Sequence, residues 1–243
     1  MKLSFVIPAY NEEKGIGKCL EAVFEEIKRN PGLEVEVVVV NNASTDHTRE
    51  EALKFPGVTV VEEKLKGLVY ARRAGFVATK GELVANVDAD TRLPQGWLKK
   101  VIAEFEKDKN LVALSGPYIY YDLPLWQRAL VKVFYFPGWA FGRMLQGGNF
   151  VIKRDAWEKA GGFDTSISFY GEDTDVARRI AKWGRVKWTW SLYAYTSGRR
   201  LQQEGFLYMG WIYALNFLST NFLGRPYTRN YRDVREVTSK IES

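Results

Sequence analysis

The sequence predicts an α/β sandwich on a mostly parallel central sheet, and three observations carry that prediction. Apolar runs of strand length alternate with stretches of helical period through residues 1–107. The run VVVV at 37–40 lacks the in–out alternation of a half-exposed strand, so it suits a sheet covered on both faces. Polar clusters, Pro8–Glu12, Asn41–Asp46 and Asp88–Asp90, stand at the carboxyl ends of three predicted strands, where open α/β sheets hold ligands.

In chain order, LSFVIPAY (3–10) predicts a buried strand, and Asn11 reads as the cap of a helix running to about Lys28. EVEVVVVNNAST (34–45) predicts the second strand. Ser44 or Thr45 is placed to cap a short helix toward Leu53, with Asp46 as another candidate cap. VTVVEE (58–63) predicts a third strand and GLVYARRAGFVAT (67–79) a helix. ELVANVDAD (82–90) predicts a strand ending in two carboxylates, followed by the helix PQGWLKKVIAEFEK (94–107) with proline at its start. Residues 123–148 read as an aromatic loop. GGNFVIKRDAWEKAGGF (147–163) gives a short strand, a short helix and a Gly-Gly stop. A helix then runs from the acidic stretch to about Trp183, and RVKWTWSLYAYTS (185–197) reads as one strand.

Composition narrows the class. With 243 residues, 46% of them hydrophobic, the chain can bury a sizeable core. Cys19 stands alone, which excludes an intramolecular disulfide framework and a cysteine-rich zinc site, and favours a reduced, cytoplasmic setting. The opening apolar run stops at Pro8, too short for a signal peptide. A net charge of +6 suits a phosphorylated substrate, an anionic membrane or nucleic acid. The basic residues form no continuous base-reading motif, which counts against nucleic acid. No GxGxxG or GxxxxGK[ST] loop follows the first strand, which counts against nicotinamide and phosphate-loop enzymes. His47 is the single histidine and reads as a helix-start residue, with no GxSxG serine to serve.

Asp88 and Asp90 flank Ala89, so persisting strand geometry would point both carboxylates one way, toward one cation. Oxygen-only ligands favour Mg²⁺ or Mn²⁺ bridging to phosphate; the plain alternative is a turn with two solvated aspartates. Asn41 and Asn42 leave a buried strand where a base or ribose can be hydrogen-bonded, although asparagine also forms turns. FYGEDTDVARRIAKWG (169–184) sets Glu172, Asp173 and Asp175 together after a glycine. Such charges repel unless a helix start, a cation or a substrate offsets them. Asp175 has Arg179 at i+4 and reads as structural.

VIPAYNEE, VVVVNNASTDHT, ARRAG, VDAD, QGGNFVIKRDAWEKAGGFD and GEDTDVARRIAKWG occur in the order found in family 2 glycosyltransferases, which the chain resembles over about residues 1–195. The resemblance implies the GT-A fold, a UDP-, GDP- or dTDP-sugar donor, a divalent metal and inversion at the sugar. It implies that Pro8, Ala9, Tyr10, Glu12, Asn41, Asn42, Arg72, Asp88 and Ala89 frame the nucleotide. Asp90 would be the direct metal ligand with Asp88 near ribose and metal, Asp173 the general base, and Glu172 the residue placing the acceptor. It divides the chain into a catalytic domain at 1–198, with a nucleotide half at 1–115 and an acceptor half at 116–198, and a basic, apolar extension at 199–243. Departures stand out. Asn41-Asn42 stands where the family often has Asp-Asp or Asp-Asn, Ala71-Arg72-Arg73 replaces ARN, and no late histidine offers a further metal ligand.

Residues 205–224 carry no charge between Arg199-Arg200 and Arg225. Asn216, Ser219 and Thr220 share one helical face, which fits an amphipathic helix on a membrane surface or packed over the domain better than a span. Phe134, Tyr135, Phe136, Trp139 and Phe141 read as an apolar acceptor lip or as packing, and Arg199 and Arg200 as contacts to diphosphate or acidic lipid. The expected partners are therefore a sugar nucleotide, a saccharide or lipid-linked acceptor and a peripheral membrane surface, at the inner face of the cell membrane. A sugar-phosphate nucleotidyltransferase and a non-catalytic sugar-nucleotide-binding protein are the rival readings.

Overall fold

Alternate residues of the buried strands feed two separate cores, and that division defines the architecture. The computed structural model describes residues 1–141, 144–168 and 170–228, with the side chains of 137–141 outside that description. The opening strands and helices are β1 (Lys2–Ala9), α1 (Ile16–Lys28), β2 (Glu34–Asn42), α2 (Thr48–Leu53), β3 (Val58–Glu63), α3 (Leu68–Ala78) and β4 (Leu83–Val87). Next come α4 (Trp97–Lys107), β5 (Leu111–Ser115), β6 (Tyr118–Tyr120), α5 (Leu125–Phe141) and β7 (Asn149–Lys153). The order closes with α6 (Arg154–Lys159), α7 (Glu172–Ile180), β8 (Arg185–Trp188), β9 (Ala194–Thr196), α8 (Arg199–Glu204) and α9 (Phe206–Leu223).

Seven strands form one sheet in the order β3-β2-β1-β4-β7-β5-β8. Only β7 runs antiparallel to its neighbours, so the sheet is mostly parallel. Val37 and Val39 enter the core shared with Leu20 of α1 and Leu98 of α4, while Val38 and Val40 enter the core shared with Phe76 of α3 and Val176 of α7. The uninterrupted valine run is thus read correctly as a strand covered on both faces. The order of strands reverses at the β1–β4 pair, and a crevice opens beyond the carboxyl ends of these two strands. A parallel pair, β6 with β9, crosses above it. Helices α5, α8 and α9 add a third apolar cluster around Tyr135, Phe206 and Met209.

Several predicted elements are corrected. The aromatic stretch is not a loop: α5 forms because Val131 and Tyr135 recur at i+4 and bury against the third cluster. The predicted strand at 185–197 is two strands in different sheets, broken by a turn in which Leu192 N–H donates to the Thr189 carbonyl. Strand β4 ends at Val87, so Asp88 and Asp90 stand in a turn instead of on alternating strand positions. Asn11 caps no helix; it takes φ +50° and binds the Ser44–Thr45 loop, and α1 starts at Ile16. Thr48 opens α2, with Asp46 accepting its N–H at 3.0 Å, so neither Ser44 nor Thr45 is the cap. Helix α9 packs over the domain with Asn216 and Thr220 on its buried side beside Phe206, Met209 and Ile212, while Leu207, Trp211 and Phe222 face solvent.

Asn149 at the start of β7 is fully buried and ties the crevice floor together. It accepts from Trp97 Nε1 at 2.9 Å and donates to the Leu192 and Gly116 carbonyls at 2.7 and 3.1 Å. Asn149→Ala would leave these groups unpaired in the interior, a loss of about 2–4 kcal/mol. Urea denaturation should show the fall as a lower midpoint with an unchanged slope.

Candidate active site

Three loops at strand carboxyl ends and the β6–β9 pair enclose the first cavity, of about 180 Å³. Pro8, Ala9, Tyr10, Asn42, Asp88 and Asp90 line it. Lys66 also faces it, donating to the Tyr10 hydroxyl at 2.9 Å with its ammonium 4.2 Å from the ring centre. The side chain of Asn42 is committed to shaping this wall. It donates to the carbonyls of Glu63 and Leu65 and accepts from Gly67 N–H at 2.8 Å, fixing the loop that carries Lys66. Asn41 does not reach the cavity: it donates to Glu62 at 2.8 Å, and its own oxygen is buried. Ala89 is buried beneath the turn and lines neither cavity.

Glu12 lies behind the first cavity and pairs with Arg199, whose Nη2 is also 3.1 Å from Asp90 Oδ2. Thr196 at the end of β9 donates to the other Asp90 oxygen at 3.1 Å. Burial opposes the Arg199 charge, but Asp90 and then Glu12 outweigh it and raise its pKa. A guanidinium thus sits on the carboxylate that the sequence marks as the metal ligand. Among the described residues, no group of three His, Cys, Asp or Glu side chains could hold an ion unaided. Asp88 and Asp90 still share one cavity wall, and two hard oxygen donors suit Mg²⁺ or Mn²⁺ when phosphate and water complete the shell.

The second cavity, about 240 Å³ and mainly apolar, lies between α5, α7 and α9. Glu172 and Asp173 line it, and it shares Asp88, Tyr118, Tyr120 and Tyr213 with the first. Gly171, at φ +86°, lets the chain turn into α7 at this point, and a Cβ there would come 2.7 Å from Thr220 Oγ1. Both carboxylates therefore fall in the first turn of α7, where the helix dipole favours negative charge. Asp173 accepts from Thr174 N–H at 2.6 Å.

Arg72 joins the two cavities from inside. Fully buried on α3, it pairs through Nη1 with Glu172 and through Nη2 with Asp88 at 3.2 Å. Burial opposes its charge, and Glu172, Asp88 and Asp173, in that order, restore it. One cation therefore faces three acids. Burial first, and then the Asp173 charge, push the Glu172 carboxyl up to about 8 against the pull of Arg72. Burial likewise raises Asp173, while Arg72 lowers it. Asp175 belongs to the scaffold, paired with Arg178 at 3.0 Å and Arg179 at 2.8 Å.

Sequence reasoning missed Tyr118, whose hydroxyl accepts from Gly148 N–H and donates to Asp88 at 3.4 Å. A Cβ on Gly148 would come 2.3 Å from Asp88, so the QGGN glycines admit this contact. Lys66 and Thr196 were missed too, since nothing in their local sequence signals a cavity. Trp139 and Phe141 of the expected lip have side chains outside the described residues, as do the tail residues Arg229, Arg232 and Arg235.

A mostly parallel sheet with its cavity at the strand reversal, closed by an antiparallel strand and a carboxylate-bearing helix, is the GT-A architecture of sugar-nucleotide transferases. The family model for glycosyl transferase family 2 matches residues 4–165, and the chain belongs to that family. It is 35% identical over 123 residues to the dolichol-phosphate mannosyltransferase of Pyrococcus furiosus, covering 49% of this chain and 34% of that protein. Against the glycosyltransferase AglE of Haloferax volcanii it is 34% identical over 106 residues, or 42% and 34% of the two chains. These matches span about a third of the relatives' lengths. The mannosyltransferase PcManGT of Pyrobaculum calidifontis, solved with GDP-Man and Mn²⁺, superposes with TM-score 0.71 at 25% identity, covering 92% of this chain and 63% of that one.

The raised Glu172 carboxyl has a consequence for stability. The folded state keeps a proton that the unfolded chain releases near the ordinary carboxylate range. Wild-type stability should therefore fall as pH rises from about 5 to about 8 and level off above. Thermal melts across that range should show this decline in wild type and a smaller one in Glu172→Gln, where the raised Asp173 carboxyl remains.

Proposed function

We propose that the chain transfers a sugar, with inversion, from a nucleoside-diphosphate sugar to an acceptor hydroxyl or a lipid phosphate. The observation that carries this reading is the meeting of two cavities at Asp88 and Tyr118, with a polar, cation-lined one on one side and carboxylates at a helix start on the other. Family membership and the GDP-Man and Mn²⁺ held by the Pyrobaculum enzyme support it.

In this reading the nucleotide lies against Pro8, Ala9 and Tyr10, with Lys66 offering its ammonium to a base or ribose oxygen. Asp173 takes the proton of an acceptor hydroxyl as that oxygen bonds to the anomeric carbon. The bond from that carbon to the diphosphate breaks at the same time, and the electron pair leaves with the diphosphate. The raised proton affinity of Asp173 suits a base, and Arg72 keeps that rise in check. A phosphate acceptor, already ionised, would need no base. Glu172, held by Arg72, fixes the helix start and with it the position of Asp173.

Asp90 and Asp88 would hold a divalent cation, which when bound offsets the charge gathering on the leaving diphosphate. Arg199, paired with Asp90 and Glu12, would keep a positive charge beside the diphosphate.

Donor turnover tests the reading. UDP-, GDP- and dTDP-sugars, each with Mn²⁺, Mg²⁺ or EDTA, should yield one donor whose nucleoside diphosphate is released only with metal. Asp173→Asn should lower release to a hydroxyl acceptor by about 10²–10⁴-fold while donor affinity is kept. Asp90→Asn should weaken metal-dependent donor binding. A donor that binds but is turned over equally by wild type and Asp173→Asn would rule out Asp173 as the base.

A further inference from the structure

Helices α5 and α9 lie side by side, locked by the Phe134 ring against Gly210, where a Cβ would come 2.3 Å from the ring. The buried side of α9 combines Phe206, Met209 and Ile212 with two polar residues. On α9 the buried side carries Asn216, which accepts from Thr228 N–H at 3.0 Å, and Thr220 beneath Gly171. The outward side carries Leu207, Trp211 (67% exposed), Phe222 (71%) and Leu223. On α5, Trp126 (59%), Leu130, Val133 (66%) and Phe136 are exposed at helical spacing. So broad an apolar face marks an interaction surface.

We propose that this α5–α9 face seats on a lipid bilayer with anionic headgroups. Two observations select that occupant. The face is continuous with the second cavity: Phe134, Phe217 and Leu218 line the cavity, and Leu218 is also among the exposed side chains. One cavity wall thereby runs from Asp173 to the exposed face. The charges on the two helices, Arg128 and Lys132, are both cations, and Arg225 follows α9, which complements an anionic surface. Among the described residues no helix is long and apolar enough to cross a membrane, so the contact is a surface one. This deepens the transfer reading: an acceptor with a hydrocarbon tail would pass from the bilayer into the second cavity with its phosphate or hydroxyl leading.

Vesicle flotation tests it, with phosphatidylcholine alone and with one-third phosphatidylglycerol. Wild type and Asp173→Asn should float with the anionic vesicles, and Trp211→Glu/Phe222→Glu at least ten-fold less. Both replaced side chains are exposed, and a circular dichroism melt checks the fold of the variant. Independently of that variant, brominated lipid should quench wild-type tryptophan fluorescence, and Trp211→Phe should lose part of the quenching. Wild type that neither floats nor is quenched overturns the proposal. So does a dimer that the double variant splits without any vesicle binding, since the face would then join two copies. Nucleotide release in water, measured alongside, should be unchanged in the double variant. Flotation without turnover of any donor would leave the membrane contact standing and remove the transfer reading.

Discussion

A single buried guanidinium governs the candidate site. Arg72 is sealed from water, and it spans Asp88 on the nucleotide side and Glu172 on the acceptor side. Removing Arg72 would leave the buried Glu172 carboxyl without its cation, and an unpaired interior ion costs several kcal/mol. The arrangement thus fixes the α7 start relative to the β4 turn, two segments far apart in sequence. It also leaves the three acids short of positive charge, which is why burial raises both Glu172 and Asp173.

The sheet explains how so expensive a group is tolerated. Arg72 stands on α3, whose Gly75 lies close against Val6 and Val40 of the sheet, where a Cβ would come 2.2 Å from Val6. The Phe150 ring of the antiparallel strand lies 5.9 Å from the guanidinium. Strand β7 also begins at Asn149, so one strand both braces the cation and ties Trp97 to the crevice floor. A second cation, Arg199, balances Glu12 and Asp90 on the open side of the same pocket. Arg72 and Glu172 are buried together, whereas Arg199 is about one-third exposed, a difference suited to a sealed acceptor side and a solvent-open donor side.

The sequence made the layers legible because period is a local property. VVVV at 37–40 and the strand–helix alternation reflect burial on both faces, and the ordered motifs identified the family. The polar loops at strand ends also meet at one crevice, as their positions suggested. What it left hidden depends on contacts between distant segments. Asn42 looked like a base ligand, but its hydrogen bonds are consumed by the 63–67 loop. Asn41 turned toward Glu62 for the same kind of reason. The proline at 137 and nearby aromatics suggested a loop, whereas tertiary burial of Val131 and Tyr135 supports a helix. The polar stripe of α9 was visible, but which side would meet protein was not, because only the fold supplies Gly171 and Thr228 as its neighbours.

The most direct test of the bridging role of Arg72 is a double-mutant cycle in urea between Asp88→Asn and Glu172→Gln, run in wild type and again in Arg72→Met. The two acids compete for one buried cation, so their effects should be non-additive by about 1 kcal/mol or more when Arg72 is present. The coupling should collapse in the Arg72→Met background. Additivity within about 0.5 kcal/mol in wild type would contradict the account, because Asp88 and Glu172 would then be energetically independent.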